Sequence, residues 1–176
     1  MIAKNVFGIV GWQNSGKTTL IEALLAEFTA RGLRISTIKH AHHAFDIDIP
    51  GKDSHRHRTA GAHEVLVASG ARWAIMHELR STPEPSLEDL LQRLAPCDLI
   101  LVEGFKNGTH PKIEVIRHAS AELRLADTNP TVRAIATDDP LLAGRHRALP
   151  LHDIRKIARF ICTTCDVAAP RFDSDQ

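Results

Sequence analysis

Tyrosine is absent, and all aromatic residues together make up only 5% of the chain. A broad stacking platform for single-stranded bases is therefore not expected. Charge of one sign is lacking too. The formal net charge is +1, which gives neither the footprint of general nucleic-acid binding nor an acidic tail. Cysteine is scarce, with only Cys97, Cys162 and Cys165. That odd, low count, without a signal-peptide pattern at the N-terminus, points to a reducing, cytoplasmic setting. No apolar stretch is long enough to span a bilayer, so a membrane is not expected as a partner either. Internal repeats and low-complexity blocks are missing.

With 176 residues, 43% of them hydrophobic, the chain is long enough to bury a sizeable core. The expectation is one domain over residues 1–169 and a frayed tail over 170–176. Val6 to Val10 is a short apolar run that reads as a buried strand. Lys17 to Arg31 carries Leu20, Ile21, Leu24, Leu25 and Phe28 on one stripe of a helix, with Gly32 placed to end it. Leu33 to Ile38 returns as a strand, completing a βαβ unit with a right-handed crossover. From His40 to Ala62 the periodicity fails, and so long a connector is expected to be functional or disordered.

Further strands are expected over Glu64 to Ala68, Trp73 to His77, Leu99 to Val102, Ile113 to Ile116 and Val132 to Ala136. Ser86 is placed to cap a helix carrying Leu87, Leu90, Leu91 and Leu94, and Asp153 to Ile161 reads as a closing helix. Alternating strands and helices imply an α/β three-layer sandwich with a largely parallel sheet.

The chemistry concentrates at Gly11-Trp12-Gln13-Asn14-Ser15-Gly16-Lys17-Thr18. This is the G-x-x-x-x-G-K-[ST] phosphate loop, set between an expected strand and an expected amphipathic helix. Its glycines let backbone N–H groups approach phosphate oxygens, and the helix that follows aims its positive end at the anion. Lys17 reaches the β- and γ-phosphates, and the Thr18 hydroxyl is a ligand for Mg²⁺. Glu103 ends the apolar strand Leu99-Ile100-Leu101-Val102, on the sheet edge where the loop lies, and is the candidate second holder of Mg²⁺. Asp98 opens that strand roughly 16 Å away at ~3.3 Å per residue, too far to share the ion.

Within the long connector, Asp46, Asp48 and Asp53 are candidates to hold Mg²⁺ or a water. Lys52, Arg56 and Arg58 are candidates for phosphate or a pterin-like anion. His40, His42 and His43 raise a transition-metal reading, although no cysteine lies nearby. Cys162 and Cys165 form a lone C-x-x-C with no second pair for zinc, and read as two ordinary, partly buried thiols. Asp138, after the strand ending at Ala136, is placed either to accept from a guanine edge or to cap the next turn. No Asn-Lys-x-Asp motif is present, so these residues leave GTP and ATP both open.

Taken together these residues resemble a known family. Gly11 to Thr19, Ile38-Lys39-His40 with His42-His43, Asp46-Ile47-Asp48, Pro50-Gly51-Lys52-Asp53-Ser54, Arg58 with Ala60-Gly61-Ala62, Val67-Ala68-Ser69, Arg72-Trp73-Ala74 and Asp98 to Lys106 occur in the order seen in MobB, the molybdopterin-guanine dinucleotide biosynthesis adapter family. The resemblance covers roughly residues 5 to 140. It implies a homodimer that binds GTP and Mg²⁺ and has weak GTPase activity. It also implies a partner, the MobA-like nucleotidyltransferase that joins GMP to molybdopterin, with molybdopterin itself as a further candidate ligand.

Carried over by position, Gly11 to Thr19 would hold the nucleotide, Lys17 and Glu103 would serve hydrolysis, and Thr18, Glu103 and Asp46 would hold the metal. Asp46, Lys52, Asp53 and Arg58, in the family loop from Asp46 to Arg58, would lie near nucleotide or pterin. The stretch after Pro140 carries no family motif. Two rival readings stand beside this one: an ATP-dependent small-molecule kinase, and a metal-delivery GTPase using the histidine segment.

Overall fold

The computed structural model describes residues 5–41, 45–117 and 124–168. Its contacts group the chain into two compact units, Met1–His40 with Leu87–Gln176, and Ala41–Ser86. The expected tail, 170–176, lies outside the described residues, as do His42 and His43.

The first unit is built on a six-stranded sheet of order β2-β5-β1-β6-β7-β8, formed by β1 (Val6–Val10), β2 (Ile35–Lys39), β5 (Leu99–Glu103), β6 (Lys112–Val115), β7 (Val132–Thr137) and β8 (Ala148–Pro150). Every pairing in it is parallel. β1 is buried at all its positions, which is why it reads as unbroken apolar sequence rather than as alternation. β8, short and with one buried residue, lies outside the expected strands.

Helix α1 (Lys17–Ala30) buries Leu20, Ile21, Leu24 and Phe28 against one face of the sheet. Its end follows from Gly32, whose φ is 80°. There the Gly32 N–H donates to the Thr29 carbonyl and the Leu33 N–H to the Phe28 carbonyl, which satisfies the last carbonyls of the helix. Helix α4 (Ile154–Cys165) packs on the same core through Ile157, Ala158, Ile161, Cys162 and Cys165, and the Asp153 side chain caps it by accepting from the Lys156 N–H. Helix α3 (Leu87–Leu91) stops short of the expected Leu94, although Leu94 still packs in the cluster of Val6, Ile38, Leu87, Ile100 and Val102.

The second unit corrects the reading of 40–62 as unpatterned. It contains helix α2 (Asp53–Thr59), which buries no residue and so carries no apolar stripe. Its end signals were present: Asp53 in the first turn, Arg56, His57 and Arg58 in the last, and Gly61 with φ 117° just beyond. The hairpin of β3 (Glu64–Ala68) and β4 (Trp73–His77) follows as a separate antiparallel sheet.

Candidate phosphate site

Parallel pairing aligns the carboxyl ends of β1 and β5, because Ile9 stands opposite Glu103. The phosphate loop leaves β1 at Gly11 and enters α1 at Lys17, so its backbone turns at that edge of the sheet. Three positive φ angles make the turn: 148° at Gly11, 60° at Asn14 and 94° at Gly16. A Cβ at Gly11 would stand 2.6 Å from the Val115 carbonyl oxygen of the neighbouring β6, so a side chain has no room there. Within the loop the Lys17 Nζ donates to the Trp12 carbonyl at 2.6 Å, and the Ser15 N–H donates to the same carbonyl at 3.3 Å. Ser15 is buried, and its hydroxyl has no hydrogen-bond partner among the described residues. Trp12, Gln13, Asn14, Thr18 and Thr19 are exposed.

Glu103 sits between β1 and β2, and its Oε2 lies 3.5 Å from the Lys39 Nζ. Burial lowers the pKa of Lys17; the Glu103 carboxylate opposes that shift, and the Lys106 and Lys39 cations add to it. Lys106 itself stands 3.9 Å from the centre of the Trp12 ring. Three cations, Lys17, Lys39 and Lys106, thus share this edge with one carboxylate, Glu103, which suits a polyanion with a divalent ion. An exposed Thr18 hydroxyl and a carboxylate are hard oxygen donors, and such a pair fits Mg²⁺ bound together with phosphate rather than a closed protein cage. No group of three or more His, Cys, Asp or Glu side chains converges on a metal position among the described residues.

Other expected residues fall as follows. Asp98 accepts from the Arg34 backbone N–H at 2.6 Å, at the opening of β5 and apart from Glu103. Asp138, just after β7, is exposed with its Oδ1 3.7 Å from His152 Nδ1, whereas the turn that follows is capped by Asp139 accepting from the Leu141 N–H. In the second unit Asp46 accepts from the Asp48 N–H and receives two hydrogen bonds from Arg58, at 2.7 and 2.9 Å; the Asp48 N–H first, then Arg58, hold its carboxyl below the usual range. Arg58 also donates to Glu78 at 3.1 Å. Lys52 and Asp53 are exposed at the start of α2. His40 lies beside Phe105, with ring centres 4.7 Å apart. Cys162 and Cys165 are buried free thiols, and desolvation pushes their pKa values up to about 11 and about 12.

Two cations at the loop, Lys106 and Arg117, were not singled out from the sequence. Lys106 belongs to the Val-Glu-Gly-Phe-Lys run but has no spacing rule tying it to Trp12. Arg117 follows β6 and lies more than 100 positions from Gly16, so only pairing of β6 with β1 reveals it.

Comparison with known proteins shows the family and the fold. The family described as "MobB: Molybdopterin guanine dinucleotide synthesis protein B" matches residues 6–138. The Haemophilus influenzae molybdopterin-guanine dinucleotide biosynthesis adapter protein is 44% identical over 159 residues, covering 89% of this chain and 86% of its own. The Escherichia coli protein of the same name is 40% identical over 162 residues, covering 89% and 90%. Among solved structures, the MobB homolog from Bacillus stearothermophilus aligns with TM-score 0.68 at 26% identity, over 92% of this chain and 98% of that one. Bacillus subtilis MobB aligns with TM-score 0.69 at 27% identity, over 91% and 97%.

Proposed function

The chain belongs to the MobB family, and on that premise we propose that it is a nucleotide-binding adapter in molybdopterin-guanine dinucleotide synthesis, with GTP and Mg²⁺ as its ligands. The observation that carries the reading is the alignment of the Gly11–Thr18 loop with Glu103 across the β1–β5 pairing. Backbone N–H groups of the loop, at the positive end of α1, bind phosphate oxygens. Lys17 exchanges its bond to the Trp12 carbonyl for the β- and γ-phosphates. Thr18 and Glu103 hold the metal, directly or through water, and Thr19 completes the first turn beside them. Mg²⁺ bound there neutralises charge on the phosphate oxygens.

Asp46, Lys52, Asp53 and Arg58 are proposed to serve nucleotide or pterin, and Asp138 to read the guanine edge. Two of these side chains, Arg58 and Asp46, are ion-paired at 2.7 Å, which supports treating them as one group. GTP hydrolysis by the isolated chain should be slow, since no carboxylate or amide has been assigned to orient the attacking water. The MobA-like nucleotidyltransferase that joins GMP to molybdopterin is the proposed partner, in line with the word adapter in the relatives' names. A homodimer is proposed as the working form. It is supported by apolar side chains left exposed on the hairpin, Leu66, Val67, Trp73 and Ile75.

Calorimetric titration with GTP and with ATP, each with Mg²⁺, tests the reading. GTP should bind more tightly, and Lys17→Ala should weaken it at least about 100-fold. Equal binding, or a preference for ATP, would overturn the guanine assignment and favour a kinase. Unchanged affinity in Lys17→Ala would overturn the phosphate site itself.

A further inference from the structure

Arg117 lies two residues beyond β6, on the flank of β1 opposite β5. The phosphate loop is pressed against that flank, as the tight approach of Gly11 to Val115 requires. One helical entry further on, the guanidinium of Arg117 covers Gly16. A Cβ added at Gly16 would stand 2.9 Å from Arg117 Nε, 3.1 Å from Cζ and 3.3 Å from Nη2. The missing side chain at Gly16 is therefore what leaves a seat for the guanidinium. Arg117 is exposed, and among the described residues no carboxylate forms an ion pair with it.

We infer that Arg117 is a phosphate ligand, clamping the α- and β-phosphates from the β6 side while Lys17 and the metal act from the β5 side. This rests on the nucleotide reading above. The assignment to those two phosphates follows from position. Arg117 touches the loop at Gly16, whose neighbouring backbone N–H groups cradle the α/β portion, whereas Lys17 extends to the γ end. A planar guanidinium offers paired donors matching two phosphate oxygens. With Lys39, Lys106 and Glu103 on the other flank, the anion would be met by positive charge on both sides of β1.

The test is titration of wild type, Lys17→Ala, Arg117→Ala and Arg117→Lys with GTP, GDP and guanosine, each with Mg²⁺. Arg117→Ala should weaken GTP and GDP by the same factor, about 10- to 100-fold. Guanosine, which has no phosphate, should be unaffected. Arg117→Lys should recover part of the loss, and the melting temperature of both variants without nucleotide should match wild type. The salt dependence of GTP affinity should become shallower in Arg117→Ala.

GTP and GDP binding unchanged in Arg117→Ala, with Lys17→Ala impaired, would overturn this inference and leave the phosphate site standing. A loss confined to GTP would overturn it too, by moving the guanidinium to the γ-phosphate. If Arg117→Ala does not fold, Arg117→Lys carries the comparison: unchanged GTP and GDP affinity together with an unchanged salt slope overturns the bidentate clamp. Failure of wild type to bind any guanosine phosphate would overturn both readings together.

Discussion

The two units of this chain are held together by different physics. In the first, apolar clusters cover the sheet: Phe7, Ile9, Leu24, Phe28, Ile113 and Ile161 are fully buried in one, and Val6, Ile100 and Val102 are buried in another. In the second, α2 buries nothing, and the hairpin leaves most of its apolar side chains in solvent. What organises residues 45–86 instead is charge. Arg58 joins Asp46, Asp48 and Glu78, and the Ser54 hydroxyl donates to Asp48 at 2.6 Å. A buried sheet can fix side chains to a fraction of an ångström, which a phosphate site needs. An ionic cluster without an apolar core around it, whose Asp46 side is open to solvent, is weaker and depends on pH and salt.

The sharpest way to break this contrast is a pair of truncations. Phe28→Ala, in the first unit, should cost about 3–5 kcal/mol by urea unfolding, through lost burial and a residual cavity. Ile75→Ala, on the exposed hairpin, should stay within about 0.5 kcal/mol. Comparable losses would show that the hairpin is packed in solution, as dimerisation at that surface would require.

A smaller effect separates the units by pH. His110 is buried beside Lys112, and burial first, then that cation, pushes its pKa down from 6.5 to about 4. Between those two values the unfolded chain binds the proton and the folded chain does not, so stability falls as pH drops through this window. The loss should be on the order of 3 kcal/mol and should level off below the folded value. His110→Gln should flatten this limb of the stability curve; an unaltered limb would assign the acid response to other groups.

The smallest effect belongs to the second unit. Asp46 is held ionised chiefly by the Asp48 N–H and Arg58, so its contribution is present above its unfolded pKa and fades as pH falls through the lowered folded one. Arg58→Ala should therefore speed proteolysis within residues 45–86 while leaving the six-stranded unit resistant. Equal protection in the variant would show that the ionic cluster is dispensable.

The sequence by itself determined whatever depends on neighbouring positions. Gly11, Gly16, Lys17 and Thr18 lie within one turn of chain, so their spacing alone specified the phosphate loop. The stripe Leu20, Ile21, Leu24, Phe28 specified α1, and Gly32 its end, because helix geometry is local. Unbroken apolar runs marked β1 and β5 as central, and Glu103 as the acid at the loop's edge. The helix at Asp53–Thr59 was hidden because the strongest local signal, apolar periodicity, is absent from it.

Only the tertiary structure decided the rest. Strand order brings β6 beside β1, and with it Arg117 onto Gly16 and Val115 onto Gly11. It also seats His110 against Gly8, where an added Cβ would lie 2.6 Å from Nε2. It gives Lys112 three acceptors, the carbonyls of Gly108 and His110 and the Thr131 hydroxyl, that let an amine lie at 0% exposure in the core. These pairings join residues far apart in the chain. Which strands become neighbours is set by the summed burial of the whole sheet, a quantity that no short stretch of sequence carries.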